Sequence, residues 1–257
     1  MSNLNILQKI NKANVIMDPY PHVIIENALP DNLYQQLENE WPEGFLSSGH
    51  ESLTDEKGHT KRYLSYRAMN ENYISNLWKE FFAYHTSNEF YQYALSVLSD
   101  AITHYYPDHA SKILNSTAVP RTEVNQKQSN TPFVTDCQFV MNNPLGSDQT
   151  SRTAHLDNPQ EIYAALFYMR RKDDRSTGRD LEIFSSPTLT PKLGKKRMVT
   201  DEIRLVKTCA YKPNSVLLFL NCRHGIHGVS HSPNAKVYRR HINVIGEFGD
   251  GTNLFSL

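Results

Sequence analysis

The chain reads as a mainly β protein (α+β) whose N-terminal helices brace a β-core. Three observations predict this. Apolar stripes at helical spacing are confined to the region before Pro107. Beyond it, apolar residues fall into short runs rich in β-branched and aromatic side chains, each closed by turn chemistry. At 257 residues, 39% hydrophobic and 21% charged, the chain can bury one large core. We expect a single domain over 1–257, in which 1–110 supplies helices and a first strand and 115–250 a sandwich or barrel-like core.

The elements follow in order. Residues 20–27, Tyr20-Pro21-His22-Val23-Ile24-Ile25-Glu26-Asn27, read as a short buried strand. After Leu29-Pro30, Asp31 is placed to cap a helix carrying Leu33, Leu37 and Trp41 on one face, and Pro42 ends it. Over 43–66 periodicity is lost and the residues turn polar, as expected of a surface excursion or a cover over a site. Two helices then carry Tyr73, Leu77, Phe81 and Phe82, and Phe90, Ala94, Leu95, Leu98 and Ile102, with Pro107 closing the second. Strands are expected at 119–124, 135–141, 163–169, 181–184, 205–211, 215–220 and 241–248. The separating turns include Asn143-Pro144-Leu145-Gly146, Asn158-Pro159, Ser176-Thr177-Gly178, Lys212-Pro213-Asn214 and Ser232-Pro233-Asn234.

Charge and cysteine content narrow the function classes. With 27 basic and 27 acidic residues, nothing predicts bulk attraction to nucleic acid or to an anionic membrane. Cys137, Cys209 and Cys222 lack paired spacing and read as reduced thiols. Met1-Ser2-Asn3-Leu4-Asn5 shows no charged-then-apolar leader, and the apolar run 216–220 is too short to span a bilayer. A cytoplasmic protein is expected. Lys192, Lys195, Lys196 and Arg197 form either a solvated face or a contact for an anionic part of a substrate.

The chemistry-bearing stretch is Thr153-Ala154-His155-Leu156-Asp157. In extended chain His155 and Asp157 project to one side, so an imidazole nitrogen and a carboxylate oxygen can bind one ion. A second histidine would complete a two-histidine, one-carboxylate triad, which leaves open positions and suits non-haem Fe(II). Arg223-His224-Gly225-Ile226-His227-Gly228-Val229-Ser230-His231 offers three candidates. Downstream, Arg239, His241 and Asn243 share one strand face and Arg240, Ile242 and Val244 the other. A guanidinium fork matches a carboxylate, so one arginine is expected in a polar interior and the other in solvent.

The ordered series His155-Leu156-Asp157, Phe167-Tyr168-Met169, Gly178-Arg179-Asp180-Leu181-Glu182-Ile183-Phe184, His227-Gly228-Val229 and Arg239 resembles the Fe(II)- and 2-oxoglutarate-dependent dioxygenases, prolyl-hydroxylase-like branch. The resemblance spans about 136–248, and Tyr20-Pro21-His22 resembles the opening of such proteins. It implies a double-stranded β-helix (jelly-roll, cupin-like) core. It makes His155, Asp157 and His227 the catalytic and metal-binding residues, and puts Arg239 and Tyr168 on the distal carboxylate of 2-oxoglutarate. It also implies Fe(II), 2-oxoglutarate and O2 as reactants, ascorbate as a stimulant, and a small-molecule or peptidyl substrate, with a prolyl residue or free proline leading. One departure is visible: the family commonly has two glycines before the Leu-x-Ile-Phe strand, and here the second is Arg179. The alternative class is a non-catalytic metal- or sugar-binding β-domain.

Overall fold

The computed structural model describes residues 3–48, 53–54, 59–123, 132–145 and 152–255. The strands are β1 (His22–Ile25), β2 (Leu53–Thr54), β3 (Thr60–Leu64), β4 (Val119–Pro120), β5 (Phe133–Asn142), β6 (Glu161–Tyr168), β7 (Leu181–Ser185), β8 (Arg204–Cys209), β9 (Ser215–Leu220), β10 (His227–Val229) and β11 (Arg239–Phe248). The helices are α1 (Asp31–Asn39), α2 (Glu43–Ser47), α3 (Ser65–Ala68), α4 (Asn76–His85), α5 (Asn88–Tyr105) and α6 (Pro107–Leu114).

β5, β6, β9 and β11 are buried along most of their lengths on both faces; β6 and β9 are nearly all apolar, whereas β5 and β11 bury polar side chains, among them Asp136, Asn142, Arg239 and His241. β5 and β11 pair antiparallel over their full lengths, from Arg239 opposite Asn142 to Phe248 opposite Phe133. Around them runs the large sheet, in the order β1-β9-β6-β11-β5-β3-β2, with β4 parallel beside the start of β5. A small sheet has the order β10-β7-β8. The backbone of His155 extends it: its N–H donates to His227 O at 2.9 Å and its O accepts from His227 N at 3.1 Å. On the far side, Leu156 N donates to Arg197 O and Val199 N to Ala154 O.

The helices cover one face of the large sheet. Ser75 and Ser87 start α4 and α5 by accepting hydrogen bonds from Trp78 N and Phe90 N. The Trp78 ring lies 4.9 Å from that of Phe139 on β5, Phe82 lies 4.6 Å from Phe139, and Phe81 lies 6.0 Å from Phe167 on β6. Each such buried side chain contributes roughly 1.5–3 kcal/mol. This layer clamps the sheet from behind and leaves its other face for the cavity described below.

Several expectations change. Asp31 is the first residue of α1 rather than its cap, because Pro30 occupies the cap position and makes no side-chain bond. Tyr73 precedes α4 and is 74% exposed, stacked on Phe45, so it is no part of the stripe. Pro107 opens α6 rather than beginning the strand region, since a proline is well placed at the first helical position. The polar stretch 43–66 contains α2, β2 and β3, and β3 joins the sheet beside β5; 49–52 and 55–58 lie outside the described residues, as do Val124 and Gly146. No helix is long and apolar enough to cross a membrane among the described residues. Cys137, Cys209 and Cys222 are free and buried.

Candidate metal centre

His155 and His227 are brought together by backbone pairing. The two hydrogen bonds between them set neighbouring strands in register, and their rings meet at 4.3 Å between centroids. Asp157, two residues on from His155, closes the triangle: His155 Nε2 lies 3.4 Å from its Oδ1 and His227 Nε2 3.5 Å from its Oδ2. The three donor atoms lie within 4.8 Å of one another. A metal about 2.1 Å from each donor holds adjacent donors roughly 3 Å apart, so the spacing fits one ion.

The tautomers fit as well. Nδ1 of His155 donates to Thr153 O and Nδ1 of His227 to Gly225 O, both at 2.9 Å, which turns the Nε2 lone pair of each ring toward Asp157. His155 is only 2% exposed, and its Nε2 is buried without a hydrogen-bond partner among the described residues. A buried acceptor left open is costly unless something fills it. Burial, reinforced by the Arg152 charge and His227, lowers the His155 pKa to about 3. Burial also lowers His227, against the pull of Asp157. Burial alone would raise the Asp157 carboxyl, but the neighbouring His227 and His155 rings and the Arg152 charge outweigh it and hold the group below the usual range. At neutral pH the cluster is two neutral imidazoles and one carboxylate, the protonation state a divalent ion requires.

The cluster lines a cavity between the two sheets, about 70 Å³ within and about 560 Å³ when the space open to solvent is included. Arg239 on β11 lines the same space and is 2% exposed. Its Nε donates to Arg179 O at 2.9 Å, and its Nη1 to His241 Nδ1 at 3.1 Å and Asn142 Oδ1 at 3.5 Å, while Nη2 is buried without a partner among the described residues. The guanidinium lies 5.0 Å over the Tyr168 ring and 4.8 Å over that of Tyr211. Tyr168 is buried, its hydroxyl makes no full hydrogen bond among the described residues, and burial raises its pKa against the pull of the Arg239 guanidinium.

The departure at Arg179 has a local account. Gly178 has φ +72°, and a Cβ there would lie 1.8 Å from His231 O, so only glycine fits. Arg179 takes φ +64° despite its side chain, its fork held by Val237 O and Asn142 O, and its own carbonyl orients Arg239. The left-handed turn survives because the side chain and the carbonyl are both bonded.

Arg240 corrects the expectation of a solvated arginine. It points to the helix side and is 5% exposed, bonded to Met169 O and set against Glu38, Glu43 and the Trp41 ring. Of the other histidines, His224 lies against Tyr105 away from the cavity, and His231 is exposed. Lys192, Lys195 and Lys196 are exposed, whereas Arg197 donates to Leu156 O behind the metal-facing strand. Sequence reading missed Thr60, Arg62, Asn142 and Arg152, all of which line the cavity. The alternation of Thr60 and Arg62 along β3 was the available signal.

No family model matches the chain, and no curated protein matches it in sequence. Among solved structures it is similar to a prolyl-4-hydroxylase from Pseudomonas putida, with 12% identity, a TM-score of 0.45, and 88% of this chain and 92% of that one covered. It is also similar to a prolyl hydroxylase from Trichoplax adhaerens, solved with a peptide fragment of the hypoxia inducible factor oxygen degradation domain; here identity is 13%, TM-score 0.46, and coverage 99% and 91%. A third is the epimerase SnoN in complex with Fe3+, alpha ketoglutarate and nogalamycin RO, at 10% identity, TM-score 0.45 and coverage of 88% and 78%.

Proposed function

We propose that the chain is an Fe(II)/2-oxoglutarate-dependent dioxygenase, with the two sheets as the halves of a double-stranded β-helix. The observation that carries this reading is one cavity holding a buried His-Asp-His cluster with an open Nε2, and an arginine with an open Nη2. His155, Asp157 and His227 would hold the iron, and Arg239 the distal carboxylate of 2-oxoglutarate, with the Tyr168 hydroxyl beside it. Fe(II) with 2-oxoglutarate and O2 supplies an oxidant for an unactivated C–H bond, releasing succinate and carbon dioxide. The chain's part is position and exclusion of water. Backbone carbonyls at Thr153 and Gly225 fix the two imidazoles, and the carbonyl of Arg179 aims the guanidinium. A purely structural zinc site would have no use for an arginine with an open fork in the same cavity. The reaction we favour is hydroxylation, of a prolyl residue, free proline or another small molecule.

The test compares iron retained after desalting, and succinate formed from 2-oxoglutarate under air, across five alanine variants. His155→Ala, Asp157→Ala and His227→Ala are expected to lose both, with metal affinity down roughly 100-fold or more. His224→Ala and His231→Ala should keep both. Iron held by the unaltered protein with neither 2-oxoglutarate binding nor succinate would instead identify a non-catalytic metal domain.

A further inference from the structure

The buried histidines divide by tautomer. Among the described residues they are His22, His85, His155, His227 and His241. In the first four, Nδ1 meets a backbone carbonyl two to four residues back: Tyr20 O, Phe81 O, Thr153 O and Gly225 O. A carbonyl only accepts, so each of these Nδ1 atoms carries the proton and Nε2 the lone pair. In His241, Nδ1 lies 3.1 Å from Nη1 of Arg239. A guanidinium only donates, so this Nδ1 is bare and the ring proton sits on Nε2. Burial, reinforced by the Arg239 and Arg62 charges, keeps the ring neutral.

The strand explains the inversion. His241 lies mid-sheet, opposite Val140 on one side and Tyr168 on the other, where the carbonyls serve the two ladders. Residues two apart on a strand share a face about 6.8 Å from each other, and the neighbour at that distance is Arg239. Arg239 spends Nε on Arg179 O, and Nη1 on His241 Nδ1 and, at 3.5 Å, on Asn142 Oδ1. Of the two acceptors on Nη1, His241 is the closer, and Asn142 stands at the limit of a hydrogen bond. The rings of Tyr168 and Tyr211 lie against the guanidinium, and the nitrogen not held by any of the described residues is Nη2. Nδ1 of His241 therefore decides which part of the guanidinium is turned toward a ligand. An aspartate or glutamate in its place would also accept from Nη1, but it would cancel the charge that a carboxylate ligand requires.

We infer that His241 is a positioning residue for 2-oxoglutarate: its bare Nδ1 holds Nη1 of Arg239 and so presents Nη2 to the distal carboxylate. This rests on the dioxygenase reading proposed above. The arginine is aimed before the cosubstrate arrives, so binding does not have to order it.

The test uses the full chain, loaded with manganese and titrated calorimetrically with 2-oxoglutarate, as the unaltered protein, His241→Asn and His241→Leu. Asparagine carries Oδ1 on Cγ, where histidine carries Nδ1, and so restores the acceptor; leucine has the same branching without it. His241→Leu is expected to weaken 2-oxoglutarate binding by roughly 10-fold or more, and His241→Asn to stay within about 3-fold of the unaltered protein. With Fe(II), His241→Leu should raise the KM for 2-oxoglutarate by a similar factor, leaving kcat within about 3-fold and the iron retained after desalting unchanged. A general loss of structure would instead lower kcat and iron retention as well. Independently of either variant's folding, NMR of nitrogen-labelled histidine in the unaltered, zinc-loaded protein should place the His241 proton on Nε2, with and without 2-oxoglutarate. A proton on Nδ1, undiminished affinity in His241→Leu, or equal losses in the two variants would each overturn the inference. Failure of the unaltered protein to bind 2-oxoglutarate fails the dioxygenase reading itself, whereas binding indifferent to His241→Leu fails this inference alone.

Discussion

The two sides of the large sheet treat buried polar groups in opposite ways. On the helix side, His85 is fully buried and burial lowers its pKa to about 3, yet both ring nitrogens are engaged: Nδ1 donates to Phe81 O at 2.7 Å and Nε2 accepts from Ile6 N at 3.5 Å. Arg240 on the same side faces Glu38 and Glu43. On the cavity side, His155 has the same lowered pKa of about 3 and the same backbone anchor at Nδ1, but Nε2 is open. Arg239, next in chain to Arg240, pairs with no carboxylate among the described residues and keeps Nη2 open there. Burial and a shifted pKa are therefore common to core and site. What separates them is whether the buried valence is filled.

The arginines give the largest test of that contrast. Arg239→Ala is expected to weaken 2-oxoglutarate binding at least about 30-fold, because the carboxylate loses its fork. Arg240→Ala should leave that affinity within about 3-fold and lower the unfolding free energy by about 3 kcal/mol, since Glu38 and Glu43 lose their buried partner. Calorimetry with 2-oxoglutarate and urea unfolding read the two effects, and an exchange of phenotypes would break the contrast.

A smaller effect comes from His85. Its folded pKa of about 3 lies below the unfolded value of about 6.5, so the unfolded chain takes up the proton first as pH falls. Its contribution to stability is complete above about pH 6.5 and is lost progressively toward pH 3, at about 1.4 kcal/mol per pH unit. Urea unfolding in chelator between pH 4.5 and 6 should show a slope shallower by about one proton in His85→Gln. An unchanged slope would mean that this imidazole charges without unfolding.

Tyr168→Phe should have the smallest consequence. It removes one hydroxyl, keeps the ring beneath Arg239, and should weaken 2-oxoglutarate binding by less than about 10-fold. Because that hydroxyl makes no full hydrogen bond among the described residues, stability should be unchanged or higher by up to about 1 kcal/mol. A loss above about 2 kcal/mol in urea unfolding would place Tyr168 with the satisfied groups of the core.

What could be read from sequence follows from how local each signal is. The metal pair at His155 and Asp157 is a two-residue spacing, β6 and β9 are apolar runs, and β5 and β11 are rich in β-branched and aromatic residues. β3 was hidden because Thr60-Lys61-Arg62 is polar and lies in a polar stretch, although its pairing with β5 makes it a strand. β10 is three residues long, too short for any period to show. The burial of Arg240 depends on Glu38 and Glu43, which lie far away in sequence on the helix side. Residue types alone left three histidines open downstream; only His227 is carried by pairing into the cavity.

The backbone exchange between His155 and His227 also sets when the centre can exist during biogenesis. The two residues lie about 70 positions apart, so their pairing is a long-range closure, among the slower events available to a folding chain. Before β10 docks, a nascent chain offers an ion only the His155 and Asp157 pair, a weak two-point site. The third donor arrives with the strand that completes the small sheet. Metal binding free energy then adds to the closure of that seam rather than to either strand alone. On the proposed function, iron would act as a latch on the completed small sheet.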